Sequence, residues 1–395
     1  MEIQFSKRSA KVKKSFIREI FKVLDQPDMI SLSGGFPNPN SFPVQAISYA
    51  AQKVLKSDGK HVLQYASSEG YIPLRKYISE RYKNRFGLDV PFEQILITNG
   101  SQQALDLLGK ILIDEGDDVL VEYPSYLGAL QSMAFYEPTF HEVRLNDDGV
   151  DLEMLEELLK TYHPKFFYTV PNFQNPTGLT YSTKNRQAVA ELIKKYQSLL
   201  VEDDPYSELR FYGEETLPIK TYLGERGILL GSFSKIVSPG MRLGWVVAAP
   251  EIMDKLITAK QATDLHTNFF AQRVVYQFLV DNDLDAHVAK IKVMYRNQRD
   301  CMVAMIDRYF PTCVSTTKPE GGMFMWVTLP ENISSMKLME KAIAAKIVFV
   351  PGDPFYVNRN DANTMRLNYT NSNEAEIEEA IKRLGKVIQD AIDAQ

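Results

Sequence analysis

The stretch Gly231-Ser232-Phe233-Ser234-Lys235-Ile236-Val237-Ser238-Pro239-Gly240-Met241-Arg242-Leu243-Gly244-Trp245 decides how the chain is read. The apolar run before it, Ile228, Leu229 and Leu230, predicts a short buried strand that breaks into a loop of Ser and Gly. One lysine, Lys235, sits in that loop. Arg242 follows, just ahead of a second strand-like run, Leu243 to Ala248. Two readings of Lys235 stand side by side. A loop lysine can simply pair with a carboxylate. An amine at the edge of an apolar pocket can instead lose its proton and attack a carbonyl.

Moving outward, the same strand-then-polar pattern recurs. Ile95 to Thr98 predicts a buried strand, Asn99-Gly100-Ser101 a turn, and Ala104, Leu107, Leu108, Ile111 and Leu112 one face of a helix. Strand, turn and helix N-terminus make an anion site, because the first backbone N–H groups of a helix have no partner within it. Ser101 also fits an ordinary N-cap there. Val119 to Glu122 leads to Tyr126, Phe166 to Val170 leads to Asn175, and Leu199 to Glu202 leads to Asp203 and Tyr206. Short apolar strands alternating with amphipathic helices predict an α/β fold with a mostly parallel sheet flanked by helices on both faces.

Both ends of the chain differ from this body. Near the start, Lys7, Arg8, Lys11, Lys13 and Lys14 precede Ile17, Ile20, Phe21 and Leu24, which share one face at helical spacing. Residues 30–43 are dense in Gly, Pro and Asn and read as a domain junction. After residue 250 helices dominate, including Ile252 to Gln261 and Leu284 to Arg308, and the chain closes on a mixed segment ending in a helix from Glu374 to Ala391. A chain of 395 residues exceeds one ordinary core. The expected division is a large body, 41–285, and a smaller α+β domain made from both ends, 1–40 with 286–395.

Composition narrows the function. Hydrophobic residues at 45% and charged residues at 24% are those of a globular protein. A formal net charge of −5 argues against nucleic-acid binding, which needs a Lys/Arg excess on some face. No apolar run is long enough to span a bilayer. The two cysteines, Cys301 and Cys313, are too few for a disulfide framework. The expectation is a reduced, cytoplasmic protein that binds no metal.

Ser101, Tyr126, Asn175, Asp203, Tyr206 and Lys235 all fall at the carboxyl ends of expected parallel strands, the edge where open α/β sheets bind ligands. Each has a dull explanation alone. Together they offer an amine, a carboxylate, an anion cradle with Arg242, and an aromatic face. A pyridine ring bearing an aldehyde and a phosphate uses all of these.

On these motifs the chain resembles the fold type I, pyridoxal-phosphate-dependent aminotransferases of class I/II, and within them the 2-aminoadipate, kynurenine and multi-substrate subgroup. The likeness runs from Ser-Leu-Ser-Gly-Gly-Phe-Pro-Asn-Pro to Arg-Leu-Asn-Tyr and includes Asn-Gly-Ser-Gln-Gln-Ala, Pro-Asn-Phe-Gln-Asn-Pro-Thr-Gly, Glu-Asp-Asp-Pro-Tyr and Ser-Phe-Ser-Lys. It implies pyridoxal 5′-phosphate as cofactor and Lys235 as Schiff-base lysine and proton carrier. It further implies Asp203 on the ring nitrogen, Tyr206 and Asn175 on the 3′ oxygen, and Tyr126 stacked on the ring. Ser101, Gln102, Ser232 and Arg242 match phosphate ligands, and Tyr65 matches a tyrosine that reaches the neighbouring subunit's phosphate, which implies a homodimer. Arg366 matches the arginine that forks onto the substrate α-carboxylate, with the Gly35 backbone beside it and Asn175 within reach. Arg18 resembles an N-terminal arginine used on substrate side chains, and also fits a helix-surface arginine.

The implied reaction is transfer of an amino group between an L-amino acid and a 2-oxo acid. Glutamate/2-oxoglutarate is the expected shared pair, and 2-aminoadipate, aromatic or large aliphatic amino acids are the expected donors. Two alternatives use the same fold. One keeps the cofactor for β-elimination or decarboxylation; the other is an effector-sensing domain of a transcription regulator, which the lack of a basic excess disfavours.

Overall fold

The computed structural model of the chain describes residues 3–12 and 28–395. The helical face expected at Ile17, Ile20, Phe21 and Leu24, and Arg18 with it, lies outside the described residues. The strands, in chain order, are β1 (Ile30–Ser31), β2 (Ile95–Thr98), β3 (Asp118–Tyr123), β4 (Thr139–Asn146), β5 (Gly149–Val150), β6 (Phe166–Thr169) and β7 (Leu199–Asp204). They continue with β8 (Gly227–Ser232), β9 (Gly244–Val247), β10 (Ser315–Thr316), β11 (Phe324–Thr328), β12 (Ile347–Val348), β13 (Val350–Pro351) and β14 (Thr364–Asn368).

One eight-stranded sheet, ordered β2-β9-β8-β7-β6-β3-β4-β5, forms the body. The stretch from β8 through β7, β6 and β3 to β4 is parallel, as expected of strands buried on both faces. β9 runs antiparallel between β8 and β2, so it enters the sheet from the edge that its neighbours leave. Alternation sorts the side chains into two layers. Val121, Tyr168 and Val201 pack on one face with Ala104, Leu107 and Leu108 of the helix Ser101–Leu112. Leu120, Phe167 and Leu200 pack on the other with Leu155, Leu159, Val189 and Ile193, from the helices Leu152–Tyr162 and Thr183–Lys195. Fully burying such a side chain contributes about 1.5–3 kcal/mol. Asp151 and Ser182 cap these two helices by accepting from the third backbone N–H beyond them.

A second sheet, β10-β11-β14-β13, is covered by the helices Leu284–Tyr309 and Glu374–Asp393. The latter starts on a reciprocal capping box between Asn373 and Glu376. β1 pairs in parallel with β12, which joins the segment after residue 28 to the C-terminal part. Among the described residues no helix is long and apolar enough to cross a membrane.

Candidate active site

The carboxyl edge of the large sheet opens into a cavity of about 810 Å³. Lys235, Asp203, Tyr206, Asn175, Tyr126, Ser101, Gln102, Ser232, Arg242, Gly35 and Arg366 all line it. They arrive from the segment after β1, from the ends of β2, β3, β6, β7 and β8, from the loop entering β9, and from β14 of the second sheet. Tyr65 is elsewhere: it is 79% exposed and its ring meets His266 edge-on.

Lys235 follows β8. Its Nζ donates to the Gly35 carbonyl at 2.8 Å, and among the described residues no carboxylate holds it as an ion pair. Burial, then the positive charges of Arg366 and Arg242, lower its pKa to about 8. A neutral amine is therefore within reach near neutrality, and the paired-surface-lysine reading is set aside.

Asp203 is the penultimate residue of β7 rather than a loop residue beyond it. Its Oδ2 accepts from the Tyr168 hydroxyl at 2.9 Å, while Oδ1 is buried without a hydrogen-bond partner among the described residues. Desolvation chiefly raises its pKa to about 7, and the Tyr168 hydrogen bond opposes that rise. A buried carboxylate oxygen with an unmet acceptor needs a donor.

Arg366, on β14, is 1% exposed. Nη1 donates to Asn175 Oδ1 and Nη2 to the Ser33 carbonyl, both at 2.8 Å, and Phe324 lies under the guanidinium at 4.2 Å. Burial draws its pKa down to about 10, so it stays charged at neutral pH. Asn175 Nδ2 makes a long contact, 3.5 Å, to the Tyr206 hydroxyl, whose pKa burial raises.

At the opposite end, the helix Ser101–Leu112 has Gly100 as its N-cap with no side-chain cap, so Ser101 is the first helical residue and not the cap. Ser101 and Gln102 of its first turn line the cavity, and the first N–H groups of a helix have no partner further up it. Gly100 has φ +75, and a Cβ there would come within 2.5 Å of Arg242 Nη2. Arg242 Nη2 donates to the Asn99 carbonyl at 3.1 Å, which seats the guanidinium over this turn. Ser232 Oγ bonds Ser234 Oγ at 2.9 Å.

Four participants escape a reading of the sequence. Tyr168 and Phe324 read as core aromatics. Glu122 is fully buried, accepting from Thr169, Tyr181, Gln174 and the Val170 N–H. Gln174 in turn accepts from Thr177 and so braces the loop that carries Asn175. An acid closing an apolar strand is the available signal, and it marks Glu122 as clearly as Asp203.

A family model for class I and II aminotransferases matches residues 27–384. The chain is 43% identical to aromatic-amino-acid aminotransferase 1 of Thermococcus litoralis, over 98% of this chain and 95% of that protein. It is similar to the solved structure of a multiple substrate aminotransferase from Thermococcus profundus, with a TM-score of 0.95, 42% identity, and coverage of 99% and 98%. It is also similar to the α-aminoadipate aminotransferase of Thermus thermophilus, solved with N-(5′-phosphopyridoxyl)-L-leucine (TM-score 0.92, 38% identity, coverage 99% and 98%).

The cavity fits pyridoxal 5′-phosphate. The orphaned Asp203 Oδ1 would suit a ring N–H, Lys235 a carbonyl carbon, and the helix N-terminus at Ser101 with Arg242 a phosphate. The chain belongs to the class I and II aminotransferases and is a fold type I, pyridoxal-phosphate-dependent transaminase.

Proposed function

We propose that this aminotransferase takes large apolar, aromatic or 2-aminoadipate-type amino acids as donors, with glutamate/2-oxoglutarate as the shared pair. Lys235, Asp203 and Arg366 lining one cavity, with Asp203 Oδ1 buried and lacking a donor among the described residues, carry the assignment of roles. When bound, pyridoxal phosphate supplies an electron sink for the negative charge left at the substrate Cα. Arg366 forks onto the α-carboxylate, a planar bidentate task that lysine performs poorly. Lys235 Nζ would take up the proton leaving the substrate Cα and hold it for redelivery on the same face. Asp203 keeps a proton on the ring nitrogen by pairing with it. Tyr206 and Asn175 hold the 3′ oxygen, Tyr126 covers one ring face, and Ser101, Gln102, Ser232 and Arg242 take the phosphate.

Substrate choice follows from charge. Among the described residues, the cations lining the cavity are Lys235, Arg242 and Arg366, each with a task already. The remaining wall includes Phe36, Leu127, Gln131 and Phe324, which suits large apolar side chains. Arg18 is then the group for a distal carboxylate. Assayed against 2-oxoglutarate, aromatic and large aliphatic donors are expected to react; in donor half-reactions run without 2-oxoglutarate, which has a distal carboxylate of its own, Arg18→Ala is expected to weaken 2-aminoadipate binding while sparing phenylalanine and leucine. Equal losses on every donor would remove Arg18 from this role. Lys235→Ala is the control, with at least ~10²–10⁴ of rate lost from proton transfer.

The same reading makes residues 41–285 the cofactor-binding body, with 1–40 and 286–395 as the second domain. It makes the active unit a homodimer with Tyr65 reaching the other copy's phosphate, supported by the exposure of Tyr65 away from its own cavity. It places the protein in the cytoplasm, in keeping with the free thiols of Cys301 and Cys313.

A further inference from the structure

Asp203 has two oxygens in different situations. Oδ2 accepts from Tyr168, and Oδ1 accepts from nothing among the described residues. Tyr168 sits on β6, whose backbone pairs it with Val201 of β7, so the phenol lies on the same sheet face as Asp203, two residues further along. It is wholly buried, and among the described residues its hydroxyl is the only side-chain donor to Asp203. The charged or titratable groups around Asp203 are Asp204 on β7, Glu122 on β3, and the Tyr126 and Tyr206 phenols. None of these supplies a positive charge, so Tyr168 alone favours the ionised carboxylate.

We propose that Tyr168 is a positioning residue for cofactor capture: its hydroxyl fixes one oxygen of Asp203, keeps the carboxylate ionised, and turns the other oxygen to the ring nitrogen. This rests on the reading that Asp203 meets that nitrogen. A donor to a carboxylate stabilises the charged form, so its removal makes the carboxyl group hold its proton to higher pH. Burial already pushes Asp203 up to about 7, within the range where this matters. Tyr168 itself remains a phenol, because burial raises its pKa well above the ordinary value.

The test is equilibrium dialysis of holoenzyme against pyridoxal phosphate between about pH 6 and pH 9, for wild type, Tyr168→Phe, Asp203→Asn and the double variant. The Kd ratio of Tyr168→Phe to wild type is expected to stay near one at about pH 9. It should rise to roughly ten-fold near pH 6, as loss of a charge-assisted hydrogen bond shifts the carboxyl group by ~1 pH unit. On the Asp203→Asn background the same change should leave the ratio flat with pH. A ratio independent of pH with Asp203 intact would mark Tyr168 as packing only and overturn the proposal. The same slope without Asp203 would also overturn it. If Asp203→Asn itself leaves cofactor affinity unchanged at every pH, the pairing of Asp203 with the ring nitrogen fails and the inference falls with it. Thermal melts of each variant show that the folded chain is being compared.

Discussion

Asp203 is costly to the protein without its cofactor. An ordinary carboxyl group titrates near 3.8, and this one is raised to about 7 mainly by desolvation. Between those values the folded chain binds more protons than the unfolded chain, so stability falls as pH rises through the window. The penalty is absent below about pH 4 and complete above about pH 7. Asp203→Asn should therefore stabilise cofactor-free protein at pH 8, on the order of 4–5 kcal/mol at about 1.4 kcal/mol per unit, and do almost nothing at pH 4. Urea unfolding at the two pH values checks this, and equal effects at both would refute it. If Asp203 pairs with the ring nitrogen as proposed, the sign reverses with cofactor bound, because the amide cannot balance a protonated ring nitrogen. Stability given up for a charge where function needs one is a common exchange in enzymes.

At the scale of elements, the cofactor end depends on how closely β9 approaches the turn before the helix Ser101–Leu112. A Cβ on Gly244 would lie 2.7 Å from the Gly100 carbonyl carbon and 2.8 Å from the Ser101 nitrogen, both backbone atoms that cannot swing aside. Gly244→Ala is expected to cost about 1–3 kcal/mol and to weaken cofactor retention by moving the helix end. Gly59→Ala, with nothing within 4 Å, is the neutral control in the same melting and dialysis experiments. This scale also shows where sequence reasoning stops. β2 is legible to the residue, because Ile95 to Thr98 is a continuous apolar run bounded by a turn. β4 is not, because Thr-Phe-His-Glu-Val-Arg-Leu-Asn lies between β3 and the short β5 with a single fully buried residue, so its polarity hides its pairing. Lys235 and Asp203 are legible because a charge beside an apolar strand is conspicuous. Tyr168 is not, since a tyrosine among phenylalanines carries no mark of its hydrogen bond.

For the whole molecule, the surface around Tyr65 is the feature to account for. Leu63 and Tyr65, two residues apart, are 71% and 79% exposed, and on the proposed homodimer a second copy would cover them. Sedimentation is expected to show a dimer, and Tyr65→Phe to weaken phosphate retention without changing the sedimentation coefficient. A monomeric active enzyme would contradict both. The antiparallel course of β9 has its own consequence. Ser232 of β8 pairs with Gly244 of β9, so the intervening residues form one loop closed at its base, holding both Lys235 and Arg242. On the proposed roles, the covalent and ionic anchors would share a single closed span, like two jaws on one calliper, set apart from the side walls at Phe36, Leu127 and Gln131. On that assignment those walls could be re-cut for a new amino acid while the calliper keeps its setting, so that breadth of substrate and grip on the cofactor would vary separately.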